Sequence, residues 1–435
     1  MTGTDEADVA AAASARRQVE AVWRIESARI VATLTRVIGD FSTAEDLAQE
    51  AFVDALTQWP RDGVPPSPGA WLTTVAKRKA IDRRRRIERL DDRHATIGHS
   101  LAEQQRLDTT DDELPWDPDE VDDDVLRLVF TACHPILPRE SQIALTLRVV
   151  GGLSTEEIAR AFAVPVGTVQ QRIVRAKKTI AAAELPFEVP SLGEFDTRLG
   201  SVLNVVYLIF NEGYAATSGE SWMRTDLAAE AIRLARVVSA LVPDEPDVHA
   251  LLALLELQAS RFAARVDADG EPILLADQDR SRWDRSQIQR GRAALARSDA
   301  LGRGRGAYAL QAGIAECHAV AASTDDTDWH RIVSLYEALQ ELTPSPFVDL
   351  NHAVAVAMAD GPAAGLQLVD RLIAGGALTG YPLLPSVRGE LLSRLGRRAE
   401  ARAELLAAAE LTQNEREKAV LLHKADHQPE PRSGV

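Results

Sequence analysis

Cysteine is scarce in this chain, which has only Cys133 and Cys317 among its 435 residues, far apart in the sequence. Two distant cysteines cannot supply the disulfide framework of a small secreted domain, so we expect a cytoplasmic protein in a reducing compartment. The N-terminus, MTGTDEADV, is acidic where a signal peptide needs basic residues. Runs of about 18 apolar residues are also missing, so the sequence predicts no transmembrane helix and no membrane partner.

Aromatic residues are few as well, at 5% of a chain that is 46% hydrophobic. Alanine and leucine supply much of the remainder, and these residues favour helices, whereas aromatic and β-branched residues favour strands. The composition therefore predicts an all-α fold. A length of 435 residues suggests two or three domains.

The motifs typical of enzymes are missing too. The sequence has no Cys/His spacing of a metal site, no glycine-rich phosphate loop and no nucleophile elbow. We therefore expect no catalytic residues, no metal and no cofactor. An enzyme built on the C-terminal part stays open as an alternative, but it would need a convergent set of acids, bases or metal ligands.

The net charge of -16 is distributed unevenly. Residues 1–182 hold 24 basic and 29 acidic residues, and ten of those acids, with no base among them, lie between Asp108 and Asp124. Without that acidic run the first part would carry +5, and the remainder of the chain carries -11. The pattern indicates two basic modules joined by an acidic tether, followed by a separate acidic domain.

The first basic module, residues 16–89, has the apolar spacing of helices. A capping box of Ser42 and Glu45 is predicted to open the helix STAEDLAQEAFVDALTQW. The segment PRDGVPPSP, residues 60–68, is predicted to be a loop because of its prolines and glycine. The next helix becomes steadily more basic, and the eight bases of residues 76–89 suit contacts to phosphates.

The second basic module ends in LSTEEIARAFAVPVGTVQQRIVRAKKTI, residues 153–180, which has the pattern of a helix-turn-helix. A capping box of Ser154 and Glu157 is predicted to start its first helix, and Pro165 suits the first turn of the second. Val169 and Ile173 are expected to face the core. The exposed face would offer glutamine and arginine, which pair with adenine and guanine in the major groove.

The C-terminal part is rich in alanine and leucine and is predicted to stack antiparallel helices. Residues 387–411 fit the small and large positions of a tetratricopeptide repeat, and residues 348–373 fit a degenerate one. An irregular helical domain without repeats stays open. The positions that fit the repeat in residues 387–411 are Gly389, Leu392, Ala401, Leu405 and Ala408.

Residues 208–217 and 274–291 are more polar and aromatic than a repeat core needs. Their side chains could form a polar pocket for a protein or small-molecule partner, or a hydrogen-bonded network that only holds irregular loops. The residues concerned are Asn211, Glu212, Tyr214, Asp277, Asp279, Arg280, Arg282, Trp283 and Asp284.

Together, the helix STAEDLAQEAFVDALTQW, the loop, GAWLTTVAKRKAIDRRRR and the helix-turn-helix resemble regions 2 and 4 of sigma-70 RNA polymerase sigma factors. The closest resemblance is to the small extracytoplasmic-function (ECF) group, which keeps only those two regions. The match covers about residues 16–182, and the order and spacing of its motifs agree. The C-terminal part resembles a subgroup that carries a fused helical extension.

The resemblance implies a domain order. It consists of a disordered N-terminus (1–15), region 2 (16–90), an acidic linker (91–120), region 4 (121–183), a TPR-like regulatory domain (184–425) and a disordered tail (426–435).

The resemblance also implies that the chain binds core RNA polymerase and promoter DNA to direct promoter-specific transcription initiation. The positions that match core polymerase contacts are Asp46, Leu47, Gln49, Glu50 and Phe52. Those that match capture and melting of the -10 element are Arg61, Asp62, Lys77, Arg78, Arg83, Arg84, Arg85 and Arg86. Those that match reading of the -35 element are Gln170, Gln171, Arg172, Arg175 and Lys178.

The main alternative is an operator-binding transcriptional regulator with one helix-turn-helix and a helical sensor domain. Such a regulator would bind its promoter without polymerase and gives no role to the basic helix of the first module. For the sigma factor reading, we expect the C-terminal domain to control the sigma module or to bind a partner.

Overall fold

The computed structural model describes residues 3–95, 121–162, 164–214, 223–267, 273, 275–412 and 415–427. The regular elements of these residues are α-helices and short 3-10 helices, which confirms the all-α prediction. The acidic linker, apart from residues 91–95, and the tail beyond residue 427 lie outside the described residues. The chain divides into two compact units, Met1–Ile209 and Phe210–Val435.

The first unit holds two groups of helices that pack on each other. Its elements are α1 (Gly3–Ile38), α2 (Phe41–Asp62), α3 (Pro68–Ala95), α4 (Val121–Ala132), α5 (Arg139–Val149), α6 (Thr155–Phe162), α7 (Val166–Ala182) and the greater part of α8 (Leu192–Tyr214). Helix α1 contacts α2 and α3 as well as α4 and α5. Because α1 begins at Gly3, the structure gives a helical backbone to most of the segment 1–15, where the sequence predicts disorder.

Helix α2 begins differently from the prediction. Its N-cap is Asp40, whose carboxylate accepts hydrogen bonds from the amides of Ser42 (3.2 Å) and Thr43 (3.1 Å). The predicted capping box of Ser42 and Glu45 is therefore wrong, because Asp40 already satisfies the first free amides. The Glu45 carboxylate is free to bind elsewhere, and it contacts Arg148 and Lys177.

Helix α2 also ends later than predicted, at Asp62, with Pro60 in its last turn. Gly63 follows with a φ of +83° and donates its amide to the Trp59 carbonyl at 3.0 Å, so the loop shrinks to residues 63–67. The ring of Trp59, 2% exposed, meets the Trp71 ring edge-on at 5.5 Å and joins α2 to the start of α3. Apolar packing of Trp59 thus holds the last turn of α2 despite the proline.

Helices α6 and α7 form the predicted helix-turn-helix. The capping box of Ser154 and Glu157 is confirmed, because the Ser154 amide donates to Glu157 Oε2 (2.8 Å) and the Glu157 amide donates to Ser154 Oγ (3.1 Å). Pro165 occupies the N-cap of α7, one position before the first turn. Val169 and Ile173 are buried as expected, together with Ala176 and Ile180.

The first half of α8 completes the core of the helix-turn-helix group. The ring of Phe195 lies 5.6 Å from that of Phe130, Arg198 donates to the Phe130 carbonyl at 3.0 Å, and Ser201 donates to the Cys133 carbonyl at 2.8 Å. The first compact unit consequently extends to Ile209, whereas the sequence predicts a domain boundary at residue 183.

The second unit is a succession of helices in which each contacts the next. Its elements after the end of α8 are α9 (Thr225–Leu241), α10 (Pro246–Ala259), α11 (Arg285–Ala300), α12 (Ala307–Val320), α13 (Trp329–Leu342), α14 (Pro346–Ala359), α15 (Pro362–Ala374), α16 (Leu383–Arg394), α17 (Arg398–Leu411) and α18 (Glu415–Asp426). Between α10 and α11 lie 3-10 helices at Phe262–Ala264, Leu275–Asp277 and Arg280–Arg282.

The small positions predicted for the repeat lie at helix contacts. A Cβ atom on Gly389 would lie 2.9 Å from Leu405 Cγ, so α16 and α17 approach closely there. Leu392, Ala401 and Ala408 are fully buried in the same stack. These contacts are typical of paired helices, and the tetratricopeptide assignment itself stays a prediction.

Candidate nucleic-acid interface

Helix α7 has one buried face and one exposed polar face. Gln170, Gln171, Arg175 and Lys178 are exposed, and Arg172 is half-buried. The sequence of α7 contains no acidic residue. The structure therefore presents four of the five residues predicted for the -35 element on the outside of the second helix of the motif, where a major groove could meet them.

Lys177 lies on α7 but contacts the first module. Its side chain is 14% exposed and forms ion pairs with Glu45 and, at 3.0 Å, with Asp46 of α2. Burial by itself lowers the pKa of Lys177, but the two carboxylates outweigh it and raise the pKa above its ordinary value. Lys177 is therefore a charged group held inside the protein, whereas the neighbouring Lys178 is exposed.

The residues predicted for the -10 element lie at the end of α2 and along α3. Arg61 and Asp62 are exposed at the end of α2, Arg78 is exposed on α3, and Lys77 beside it is half-buried. Further along α3, Arg83 and Arg85 are exposed, while the side chains of Arg84 and Arg86 lie outside the described part of the structure. At about 1.5 Å per residue, the basic positions of α3 extend for roughly 14 Å from Lys77 to Arg86.

The five residues predicted to bind core polymerase are divided between the surface and the core of α2. Asp46 and Glu50 are exposed, and Gln49 is half-buried. Leu47 is only 3% exposed, and the ring of Phe52 packs 4.8 Å from the ring of Trp23. Leu47 and Phe52 thus pack beneath the exposed residues of α2 and support them.

The sequence predicts Val53 in the same apolar stripe as Leu47 and Ala51, but its side chain is 56% exposed on α2. At spacings of four and three residues, Asp46, Glu50 and Val53 share one side of the helix. We call these three residues the α2 face. The signal in the sequence is that Val53 falls outside the series Ala48, Ala51 and Ala55, which lines the buried side.

The polar residues of the second unit have structural partners. Asp279 caps the 3-10 helix Arg280–Arg282 by accepting from the Ser281 amide at 2.9 Å. Asp284 caps α11 by accepting from the amides of Ser286 (2.8 Å) and Gln287 (3.0 Å). Glu212, 12% exposed, forms an ion pair with Arg224.

Tyr214 and Trp283 approach a common partner, Arg261, whose guanidinium carbon lies 5.9 Å from the Tyr214 ring centre and 5.8 Å from that of Trp283. Arg280, 7% exposed, donates to the carbonyls of His318 (2.7 Å) and Ala321 (3.0 Å). These contacts favour the interpretation that the polar residues form a network that holds the irregular loops. They do not favour a ligand pocket. The other predicted members are Asn211, which is half-buried, and Asp277 and Arg282, which are exposed.

His318 lies inside this network. Burial lowers its pKa to about 4, and the charges of Arg261 and Arg280 add to the effect. In the unfolded chain His318 has an ordinary histidine pKa near 6.5. Between about pH 6.5 and pH 4 it is therefore protonated in the unfolded chain and neutral in the folded domain. Burial of neutral His318 therefore contributes fully to the free energy of unfolding above about pH 6.5, and this contribution is lost as the pH falls toward 4.

We predict that His318→Leu flattens the pH dependence of stability. The free energy of unfolding of the C-terminal transition should fall by on the order of 3 kcal/mol more in the wild type than in the variant between pH 7 and pH 4. Urea unfolding at several pH values measures this difference. His330→Gln, at an exposed position of α13, is the matched control and should keep the wild-type slope.

No helix in the described ranges is both long and apolar enough to cross a membrane. Over the same residues, no three His, Cys, Asp or Glu side chains are grouped so as to hold a metal ion.

Three family models match the chain. The model of sigma-70 region 2 matches residues 24–90, that of sigma-70 region 4 matches residues 127–180, and a family of unknown function matches residues 198–299. The first two contain the helices that carry the predicted DNA-facing residues. The third begins within α8 and says nothing of the role of the C-terminal unit.

Similar proteins fall into two groups by coverage. An uncharacterized protein of Rhizobium meliloti is 44% identical over 401 residues, which are 91% of this chain and 92% of the relative. The RNA polymerase sigma-H factor of Pseudomonas aeruginosa is 30% identical over 162 residues, 36% of this chain and 81% of the relative. A probable ECF RNA polymerase sigma factor of Mycobacterium tuberculosis is 26% identical over 171 residues, 39% of this chain and 57% of the relative. No solved structure matches the chain.

The predicted resemblance to sigma regions 2 and 4 is thereby confirmed, whereas a tetratricopeptide-type extension is not established by these matches. Sigma regions 2 and 4 bind core RNA polymerase and promoter DNA, and sigma factors are not enzymes. The chain belongs to the sigma-70 family of RNA polymerase sigma factors and is a transcription initiation factor of the ECF type.

Proposed function

We propose that this sigma factor reads a two-part promoter with α7 and α3. Helix α7 would enter the major groove of the -35 element, and the observation that supports this most is its exposed, acid-free face opposite the buried Val169 and Ile173. Glutamine and arginine side chains there could each make two hydrogen bonds to a base. Arg172, half-buried, would support the edge of the same face.

Region 2 would supply the -10 half. Arg61 and Asp62 at the end of α2 would border the pocket for an extruded base, and extrusion costs a few kcal/mol that basic neighbours must offset. Lys77 and Arg78 would act at strand separation. The series Arg83 to Arg86 would contact upstream phosphates, with an affinity that falls as salt rises.

The α2 face would bind core polymerase. Two exposed carboxylates around an exposed valine offer charge for steering and an apolar centre for burial, which is the usual composition of a protein interface. Glu50 pairs with Lys79 of α3 at 3.4 Å, and Asp46 pairs with Lys177 of α7 at 3.0 Å. Polymerase that binds this face would therefore compete with both lysines for the two carboxylates.

The C-terminal unit would control the sigma module. The sigma-H factor of Pseudomonas aeruginosa matches only 36% of this chain, while the Rhizobium meliloti protein matches 91%, so the C-terminal part occurs with sigma regions 2 and 4 as one protein elsewhere. Stacked helices offer surfaces for protein partners. The C-terminal unit is a separate helical unit fused to a complete pair of sigma regions. This arrangement suits a controlling role better than the role of a simple tether.

Truncation tests this role, and the structure determines where to cut. A chain of residues 1–209 keeps the contacts of Phe195, Arg198 and Ser201 with region 4, whereas a chain of residues 1–183 loses them. We expect the 1–209 chain to remain folded and to differ from the full-length protein several-fold in promoter-directed transcription with core polymerase. The 1–183 chain should unfold more readily, because region 4 loses part of its core.

The two truncations separate control from damage. A change seen only with the 1–183 chain would reflect the lost packing of region 4. Equal transcription by the full-length and 1–209 proteins, with equal response to the inducing condition, would exclude the controlling role.

A further inference from the structure

Three arginine side chains of the second unit converge on two aromatic rings. The guanidinium carbon of Arg265 lies 3.6 Å from the centre of the Tyr214 ring, and that of Arg280 lies 5.0 Å from the centre of the Trp283 ring. Arg261 joins the two pairs, because its guanidinium carbon lies 5.9 Å from the first ring centre and 5.8 Å from the second. We call these five residues the arginine cluster.

Two of the three arginines bind neutral groups. Arg261 donates to the Tyr214 hydroxyl and to Gln258 Oε1. Arg280, which is buried, donates to two backbone carbonyls and to Thr327 Oγ1. Among the residues that the structure describes, neither guanidinium group has a carboxylate within ion-pair distance. The hydrogen bonds of both side chains thus leave their charges without a counter-ion in the described fold.

The positive charges of the arginine cluster act on one another. Burial lowers the pKa of Arg265 and that of Arg280, and the charge of Arg261 lowers both of them further. The carboxylate of Asp326 acts on Arg280 in the opposite direction, but it forms no ion pair with this side chain among the described contacts. Arginine keeps its proton in proteins, so like charges are held close together here at a cost in free energy that an anion would offset.

Hydrogen-bonding groups without partners lie in the same place. Trp283 is 2% exposed, and its indole Nε1–H has no acceptor among the described residues. The Nδ1 atom of His318, whose carbonyl accepts from Arg280 at 2.7 Å, has no partner there either. Because an indole nitrogen can only donate, only an acceptor atom satisfies Trp283. Buried donors are seldom left unsatisfied in folded proteins, so this one indicates a ligand.

The charges and the unsatisfied donor together determine the kind of ligand. A metal ion would be repelled by the arginines, and an apolar ligand would leave the indole donor unsatisfied. A water molecule could accept from Trp283 but would not offset the charges. An oxyanion does both, because its oxygens accept hydrogen bonds from indole and guanidinium groups and its charge is opposite to theirs. Arg261 is only half-buried, which gives a small ion access from solvent.

We propose that Arg261, Arg280 and Trp283 bind a small inorganic oxyanion of the phosphate class. The ion completes the network that holds the irregular loops and does not need an open pocket. By binding Arg280 and Trp283 it stabilises the segment that leads into α11, which begins at Arg285. This inference goes beyond the proposed function, and the binding does not depend on it. If the second unit controls the sigma module, the anion is one signal to which that unit responds.

The indole N–H signal of Trp283 reports occupation of the site directly. The chain has seven tryptophans, and in full-length protein with ¹⁵N-labelled tryptophan the signal of Trp283 is identified by its loss in Trp283→Phe. We expect this signal to shift as inorganic phosphate is added in the low millimolar range and to reach a plateau, while sodium chloride at the same ionic strength moves it little. The other tryptophan signals are internal controls. An unmoved Trp283 signal, or the same shift with chloride, would overturn the site.

Arg261→Gln removes one of the two charges while leaving a polar side chain. We expect the affinity for phosphate, measured by the same titration, to fall roughly tenfold or more, since a hydrogen bond to a charged group is lost. Arg285→Gln, at an exposed position of α11, is the matched control and should keep the wild-type affinity. Wild-type affinity of Arg261→Gln would also overturn the site.

Trp283→Phe adds a readout that does not depend on the starting stability of the variant. It removes the indole donor and keeps an aromatic ring. A ligand that binds only the folded state raises the unfolding temperature, so low millimolar phosphate should raise that of the wild type more than that of Trp283→Phe. Phosphate at such concentrations avoids the general stabilisation that concentrated salts cause. Equal rises in the two proteins would contradict the role of Trp283.

Glucose 6-phosphate distinguishes a free ion from a phosphate group carried by a larger molecule. We expect it to bind more weakly than inorganic phosphate, because Arg280 and Trp283 are almost completely buried. Tighter binding of the sugar phosphate would overturn the assignment to a free ion. None of these experiments includes core polymerase or DNA, so failure of the anion site would leave the proposed function standing.

Discussion

Replacing Gln171 and Arg175 together by alanine is expected to reduce promoter-specific transcription by about a hundredfold or more. Both side chains are exposed, and their spacing of four residues puts them on one side of α7. A good bidentate contact to a base contributes about 1–3 kcal/mol of discrimination, so two such contacts suffice for this loss. Transcription from the protein's own promoter in vitro measures the effect.

Two controls make this result specific to base reading. Arg297→Ala removes an exposed arginine of α11 in the second unit and should leave transcription unchanged. Core polymerase binding by the double variant should also stay at the wild-type level, because α7 is not assigned to it. Transcription within a few-fold of the wild type would show that α7 does not read the promoter.

The double variant Glu50→Arg and Val53→Asp is expected to weaken binding of core polymerase by at least a hundredfold. A few central residues supply most of the binding free energy in protein interfaces, with about 2 kcal/mol or more for each. The variant reverses a charge and adds another at an exposed apolar position of the α2 face. Binding of labelled protein to core polymerase measures the loss.

The fold should tolerate these changes. Glu50 lies 3.4 Å from Lys79, and such an exposed pair adds little to stability. Gln58→Arg, also exposed on α2, is the control and should bind core polymerase as the wild type does. Wild-type affinity of the Glu50 and Val53 variant for core polymerase would show that the α2 face does not bind it.

The features that depend on local sequence were predictable. The capping box of Ser154 and Glu157 involves residues three apart, and the burial of Val169 and Ile173 follows from helical spacing. The same local reasoning failed at Ser42 and Glu45, because Asp40 competes for the same amides and Glu45 has partners more than a hundred residues away. Such tertiary competition is not visible in a local pattern.

The candidate site was predictable in part for the same reason. The basic, acid-free composition of α7 indicates a DNA-facing helix, but the composition alone does not separate Lys177, which binds Glu45, from the exposed Lys178. The exposure of Val53 is visible only once α2 is packed in the fold. The extension of the first unit to Ile209 likewise depends on the tertiary contacts of Phe195, Arg198 and Ser201.

The most direct test of the account is to mix the purified protein with core RNA polymerase and genomic DNA and to sequence the 5′ ends of the transcripts. We expect transcript starts that are absent with core polymerase alone and that lie downstream of a shared pair of sequence elements. We also expect the Gln171 and Arg175 double variant to lose those starts. Stable binding to a promoter without polymerase, with no promoter-specific initiation in its presence, would contradict the account and favour an operator-binding regulator.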